Sequence, residues 1–164
     1  MATLKRRFIA FLMVAMFAPT SLQATQTAQY SDEEFGPVVR AYLGYLRNEQ
    51  EVVDDRASRR EVSATYYRHN SNRIKALRQM AIRLARETHN DYLPELEAVS
   101  ADEMGLLFGS QPPQAARLRA GEVLKNTFRF LGVVRAGESF YLFARLDPYE
   151  QAELTEKASA VRRP

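Results

Sequence analysis

"TFRFLGVVRAGESFYLFARLDPYE", residues 127–150, is the stretch that sets the fold class. Two runs rich in aromatic and β-branched residues, Thr127–Arg135 and Ser139–Leu146, flank Ala136-Gly137-Glu138, where glycine supplies the geometry of a hairpin turn. Side chains alternate across a strand, so regular alternation places Phe128, Phe130, Gly132 and Val134 on one face with Phe140, Leu142, Ala144 and Leu146. That face is apolar or glycine throughout and is expected to pack on helices.

The reverse face carries Arg129, Leu131, Val133 and Arg135 with Tyr141, Phe143 and Arg145. Left open, arginines beside aromatic rings would stack on a planar ligand and neutralise an anion. Covered, they are ordinary packing, with arginine stems spread over apolar neighbours. A two-stranded ribbon is marginal in water without support, which favours cover. The candidate ligand-binding residues are Arg129, Arg135, Tyr141, Phe143 and Arg145. Beyond them, Asp147-Pro148-Tyr149-Glu150 closes the strand and opens a helix to about Ala160, with Asp147 as cap, proline in the first turn and Glu150 as the reciprocal acid.

Upstream, the period changes to that of helices. Ser31 and Glu34 form a capping box, and Phe35, Val39, Tyr42 and Leu46 share one face, which predicts a first helix over about 32–52. Residues 56–88 contain no glycine or proline and predict a second, with Val62, Tyr66, Leu77, Ala81 and Leu84 as its apolar stripe. The two are expected to form an antiparallel hairpin joined near Val53–Ala57. Segment 31–55 has seven acids and two bases, whereas 56–86 has nine bases and one acid, so lateral pairing would neutralise both. Asn70 and Arg73 interrupt the second stripe and are the structural polar candidates. Arg73 is expected to meet an acid of the first helix, Glu49 being one candidate, or else an external carboxylate.

Between helices and hairpin, Pro94 discourages helix and Ser100 with Glu103 repeats the capping signature before a short helix over about 101–108. "GSQPPQ" (109–114) is a loop, and 115–125 reads as a helical turn or an edge strand. The fold class is α+β: an N-terminal helical hairpin (32–88) packed with a C-terminal antiparallel hairpin and final helix (127–160), in one domain over 31–164.

The first 24 residues read as an export signal. Lys5, Arg6 and Arg7 precede the apolar run "FIAFLMVAMFA" (8–18), and Pro19-Thr20-Ser21 precede a cleavage site after Ala24. A retained anchor facing the periplasm is the alternative, although the run falls short of the roughly 20 residues that cross a bilayer. Residues 25–30 read as a linker. The chain has 23 bases and 20 acids, and three of the bases lie in the signal, so the remainder is balanced. Global attraction to nucleic acid therefore has no basis. Cysteine is absent, which excludes disulfides, thiol catalysis and cysteine-ligated zinc.

No catalytic, metal-binding or cofactor-binding motif emerges. His69 and His89 lack metal-ligand spacing, as does Glu87-His89-Asp91, and Glu95 with Glu97 is only a pair of acids. Arg60, Arg68, Lys75, Arg78, Arg83 and Arg86 form a secondary basic surface, suited to a weakly held anionic ligand or a salt-sensitive surface contact. The expected function is an exported, periplasmic or secreted, non-catalytic structural or protein-interaction domain. Its expected partner is a protein or envelope component, with no specific nucleic acid and no membrane contact beyond an uncleaved N-terminus or weak surface binding. A binding module for an anionic or aromatic-bearing ligand is the alternative, and an enzyme the third.

Overall fold

In a computed structural model of the chain, residues 32–161 are described, with side chains to Lys157. The expected signal, linker and Ser31 cap lie outside the described residues. A 3-10 turn, Asp32–Glu34, leads into α1 (Pro37–Ser58), α2 (Ala64–Thr88), β1 (Leu96–Val99) and α3 (Met104–Phe108). A second 3-10 turn, Ala115–Arg117, precedes β2 (Val123–Leu124), β3 (Phe128–Arg135), β4 (Ser139–Arg145) and α4 (Pro148–Val161). The fold is α+β, and the described residues form one compact unit.

The first helix begins later and runs further than the 32–52 expected, because Pro37 suits the first turn and nothing stops the helix at Val53. Its amide ends are capped from a distance. Asp91, just after α2, accepts from the backbone N–H of Val38 (2.8 Å) and Val39 (3.0 Å), placing a negative charge at the helix N-terminus. Gly36 permits this approach, since a Cβ there would stand 2.2 Å from Asp91 Cγ. The break between helices falls at residues 59–63 and not at 53–57. Ser63 stops the turn and starts α2, its hydroxyl accepting from the Tyr66 N–H at 3.1 Å.

The sheet is antiparallel in the order β1-β4-β3-β2. The hairpin, the final helix and the Asp147 cap, which accepts from Tyr149 and Glu150, follow expectation. The 115–125 segment divides into a 3-10 turn and an edge strand. β1 is an additional strand, pairing Leu96 with Ala144 and Val99 with Tyr141.

The faces of the hairpin differ from regular alternation. Phe130 pairs with Phe143 and Gly132 with Leu142, which leaves Leu131 as the extra residue of a β-bulge. Gly132 has φ +140°, a conformation that favours glycine. One extra residue reverses the face of everything before it. Phe128 and Phe130 therefore join Tyr141 and Phe143, while Val134 stays with Phe140 and Leu142.

Two cores result, one on each side of the sheet. Phe140, Leu142, Val134, Leu96 and Ala98 pack with Val39 and Leu43 of α1 and with Ala76, Met80, Ala81 and Ala85 of α2. On the other side Phe128, Phe130 and Phe143 pack with Val99 and with Met104 and Phe108 of α3. The α2 stripe is rotated from expectation: small residues face the sheet, which lets helix and strands approach closely, and Tyr66 is exposed.

Candidate functional site

Four ionisable side chains from three separate elements converge at the N-terminal half of α2. His69 Nδ1 lies 2.9 Å from Glu138 Oε2 in the β3–β4 turn, and its Nε2 lies 3.0 Å from Glu103 Oε1, the residue that opens α3. Arg73, one turn along α2, bonds Glu103 and also places Nη2 2.8 Å from His69 Nε2. Helical spacing explains the His69–Arg73 pair, since residues four apart share a face. The carboxylates arrive through tertiary structure.

Glu103 is held further by Ser100. Its Oε2 accepts from the Ser100 N–H at 3.0 Å and lies 2.9 Å from the Ser100 hydroxyl, which also reaches Asp102 Oδ1 at 2.6 Å. This is the glutamate half of the expected Ser100/Glu103 capping signature. Burial alone would raise the Glu103 pKa, but the bonds from the Ser100 amide, Arg73, the Ser100 hydroxyl and His69 outweigh it and pull it down to about 2. For His69, burial opposes the charged ring, and hydrogen bonds with Glu138 and Glu103 overcome it and raise the pKa. Neutral His69 uses Nε2 to accept from Arg73 while Nδ1–H donates to Glu138. Protonated His69 donates from both nitrogens to the two carboxylates.

Chemically, the cluster is a polar clamp joining α2, α3 and the hairpin turn. Its nearest hydroxyl, Ser100, is directed to Asp102 and Glu103, so serine, histidine and acid do not line up as a nucleophile and base. Among the described residues no group of three or more histidine and acidic side chains could hold a metal ion.

The clamp makes stability depend on pH in two directions. The depressed Glu103 pKa contributes stability above its unfolded value near 4.5, lost as pH falls toward 2. The raised His69 pKa contributes stability that is complete below 6.5 and lost as pH rises through the folded value. In urea titrations, Glu103→Gln should therefore cost most between pH 5 and 6, by about 1–3 kcal/mol for loss of charged hydrogen bonds. The difference from wild type should shrink toward pH 3 and toward pH 9. A pH-independent difference would rule out the clamp as the cause.

The other sequence candidates do not join this cluster. Arg73 meets Glu103 and not Glu49, because its helical position points it at the start of α3. Asn70 turns back onto the Tyr66 carbonyl at 2.9 Å and stays out of the cluster. Among the five hairpin residues, Phe143 is fully buried and Tyr141 stacks on Phe130 at 6.2 Å. Arg129 pairs with Glu150 at 3.0 Å. Arg145 lies over the Phe128 ring and pairs with Glu95 (3.0 Å) and Glu97 (3.5 Å), which occupies both members of that acidic pair. Arg135 is exposed at the end of β3. Arg129 and Arg145 line one cavity beside Leu131 and Ala144, whereas Arg135, Tyr141 and Phe143 lie outside it.

On the basic surface, Arg78 pairs with Asp32 (2.6 Å) and Arg86 with Glu34 (2.7 Å), both in the turn before α1. Arg60, Arg68, Lys75 and Arg83 are exposed and make no ion pair among the described residues. His89 ends α2 in the left-handed conformation, apart from any cluster with Asp91, which caps α1.

Sequence reasoning also missed a surface on α1. Val38, Tyr45 and Val52 are 50%, 54% and 54% exposed and recur every seven residues. The stripe facing α2 concealed them, since both rows sit on one helix. No protein-family model, curated protein or solved structure matches the chain.

Proposed function

We propose that the protein is an exported, non-catalytic protein-interaction domain whose docking element is the outer face of α1. The exposed row Val38, Tyr45 and Val52 carries this reading. A helix already buried through Val39, Leu43 and Leu46 gains nothing in its own fold from a second apolar row in water. The ionisable cluster supports the non-catalytic part, because its carboxylates are engaged by Arg73, His69 and Ser100. Export rests on the order of basic, apolar and small residues before Thr25. Among the described residues no helix is long and apolar enough to cross a membrane.

A photo-crosslinking residue at Tyr45, introduced in cells of the source organism, should yield discrete adducts in the exported fraction. The same residue at exposed Arg119 should give few. Absence of Tyr45 adducts would remove the interaction reading, and recovery of the chain only from cytoplasm would remove export. A second reading, weak binding of an anionic ligand, is favoured by Arg60, Arg68, Lys75 and Arg83, exposed and without an ion pair among the described residues, and requires affinity that falls steeply with added salt.

A further inference from the structure

The outer row of α1 has the spacing of a helix–helix seam. Ala41 and Asn48, both exposed, lie between Val38, Tyr45 and Val52, which gives alternating steps of three and four residues. Beside Tyr45, Gly44 keeps the surface low: a Cβ there would have only the Arg47 guanidinium within 4 Å, at 3.9 Å. The protein's own packing does not require that glycine, and a glycine inside a helix is destabilising relative to alanine. A closely approaching second helix gives it a use.

Charge along α1 identifies the kind of helix. Residues 37–47 carry Arg40 and Arg47 and no acid, whereas 48–58 carry Glu49, Glu51, Asp54 and Asp55 with only Arg56 as base. Arg40, Arg47 and Glu51 are exposed and make no ion pair among the described residues. The seam is centred on Tyr45, with valine seven residues to either side. An antiparallel copy of α1 would set Val38 opposite Val52, Tyr45 opposite Tyr45, and each basic half beside an acidic half, with Arg40 opposite Gln50 and one residue along from Glu51. A parallel copy would set like charges together.

We infer that the occupant of this face is a second copy of the chain, joined through α1 against α1 in an antiparallel, two-fold symmetric pair. Such an interface is self-complementary and closed, so it forms a dimer and stops. The inference rests on the reading of the outer face of α1 as the docking element.

The absence of cysteine makes the test direct, since every introduced thiol is unique. Full-length Tyr45→Cys should oxidise to a covalent dimer at least about tenfold faster than Gln79→Cys on the exposed face of α2, because disulfides require Cβ atoms about 4 Å apart. An equal mixture of Val38→Cys and Val52→Cys chains should give chiefly the mixed dimer. In sedimentation, Arg40→Glu should weaken the dimer about tenfold, and Arg40→Glu with Glu51→Arg should restore it. Both variants change exposed residues and should retain the wild-type circular dichroism. Equal oxidation of Tyr45→Cys and Gln79→Cys, or dominance of the Val38–Val38 dimer, would overturn the antiparallel pair. Cellular Tyr45 adducts distinguish the two levels. A band at twice the mass of the exported chain supports self-association. A band with a different protein, or with the chain's own N-terminal segment, overturns it. A different protein leaves the interaction reading standing, whereas no adduct ends both.

Discussion

Phe143→Ala should lower the unfolding free energy by about 3–5 kcal/mol, the range for removing a fully buried aromatic side chain. Phe143 has no exposed surface and its ring lies 5.3 Å from Phe108, 5.3 Å from Phe130 and 6.4 Å from Phe128. The Phe108 and Phe128 contacts are edge-to-face, which adds quadrupole attraction to apolar burial. Little can collapse into the space left, because the sheet backs it and α3 holds the opposite wall. Urea denaturation measures the loss directly, with Tyr149→Ala, at an 85% exposed position, as a control expected within about 0.5 kcal/mol of wild type. The same experiment discriminates the two readings of the reverse hairpin face. A ring lining an open ligand groove would be removed at small cost, and a loss below about 1 kcal/mol would contradict the second core.

Two single-residue deletions in the hairpin should have opposite outcomes. Deleting Leu131 removes the bulge residue: Phe130 can still pair with Phe143 and Gly132 with Leu142, and every flanking side chain keeps its face. The cost is the partial packing of Leu131 on the helical core, about 1–2 kcal/mol, and the chain should fold. Deleting Tyr141 shortens the partner strand instead. Three residues of β3 would then face one residue of β4 between the Phe130–Phe143 and Val134–Phe140 pairs. To restore the ladder, fully buried Phe140 or Phe143 must change sides, and the β1–β4 register fails with it. This variant should show neither cooperative thermal unfolding nor native near-ultraviolet dichroism. Equal tolerance of both deletions would mean that the register is not set by the bulge.

These deletions also mark the limit of sequence legibility. The hairpin, its turn, the Asp147 cap and the short helix after Ser100 were readable because each depends on neighbours within a few residues. The bulge was not readable. Alternation identifies a face cleanly only when one side is polar, and "FRFLGVVR" carries apolar residues on both sides because helices cover one face of the sheet and α3 the other. β1 escaped notice for a related reason: four residues, "LEAV", are too few to display a period and become a strand by pairing with β4. Local sequence sets the break between α1 and α2 too early, since "VVDD" is compatible with helix and only the Ser63 cap fixes the restart.

At the candidate site, Arg73 was singled out because an arginine interrupts an apolar stripe, a local signal. Its partners Glu103 and His69, and the bridge to Glu138, are 30, 4 and 65 positions from it in sequence, and only the nearest is dictated by helical periodicity. The sequence by itself determined the α+β class, the element types over most of the chain, the helix cap at Asp147, and the lengthwise charge asymmetry of α1. Tertiary structure decided which face each strand residue takes, which carboxylates Arg73 and His69 meet, and which α1 row remains exposed. Local rules act over the three to four residues of a turn or the two of a strand repeat, whereas these decisions depend on how layers stack and on the single extra residue that shifts a register.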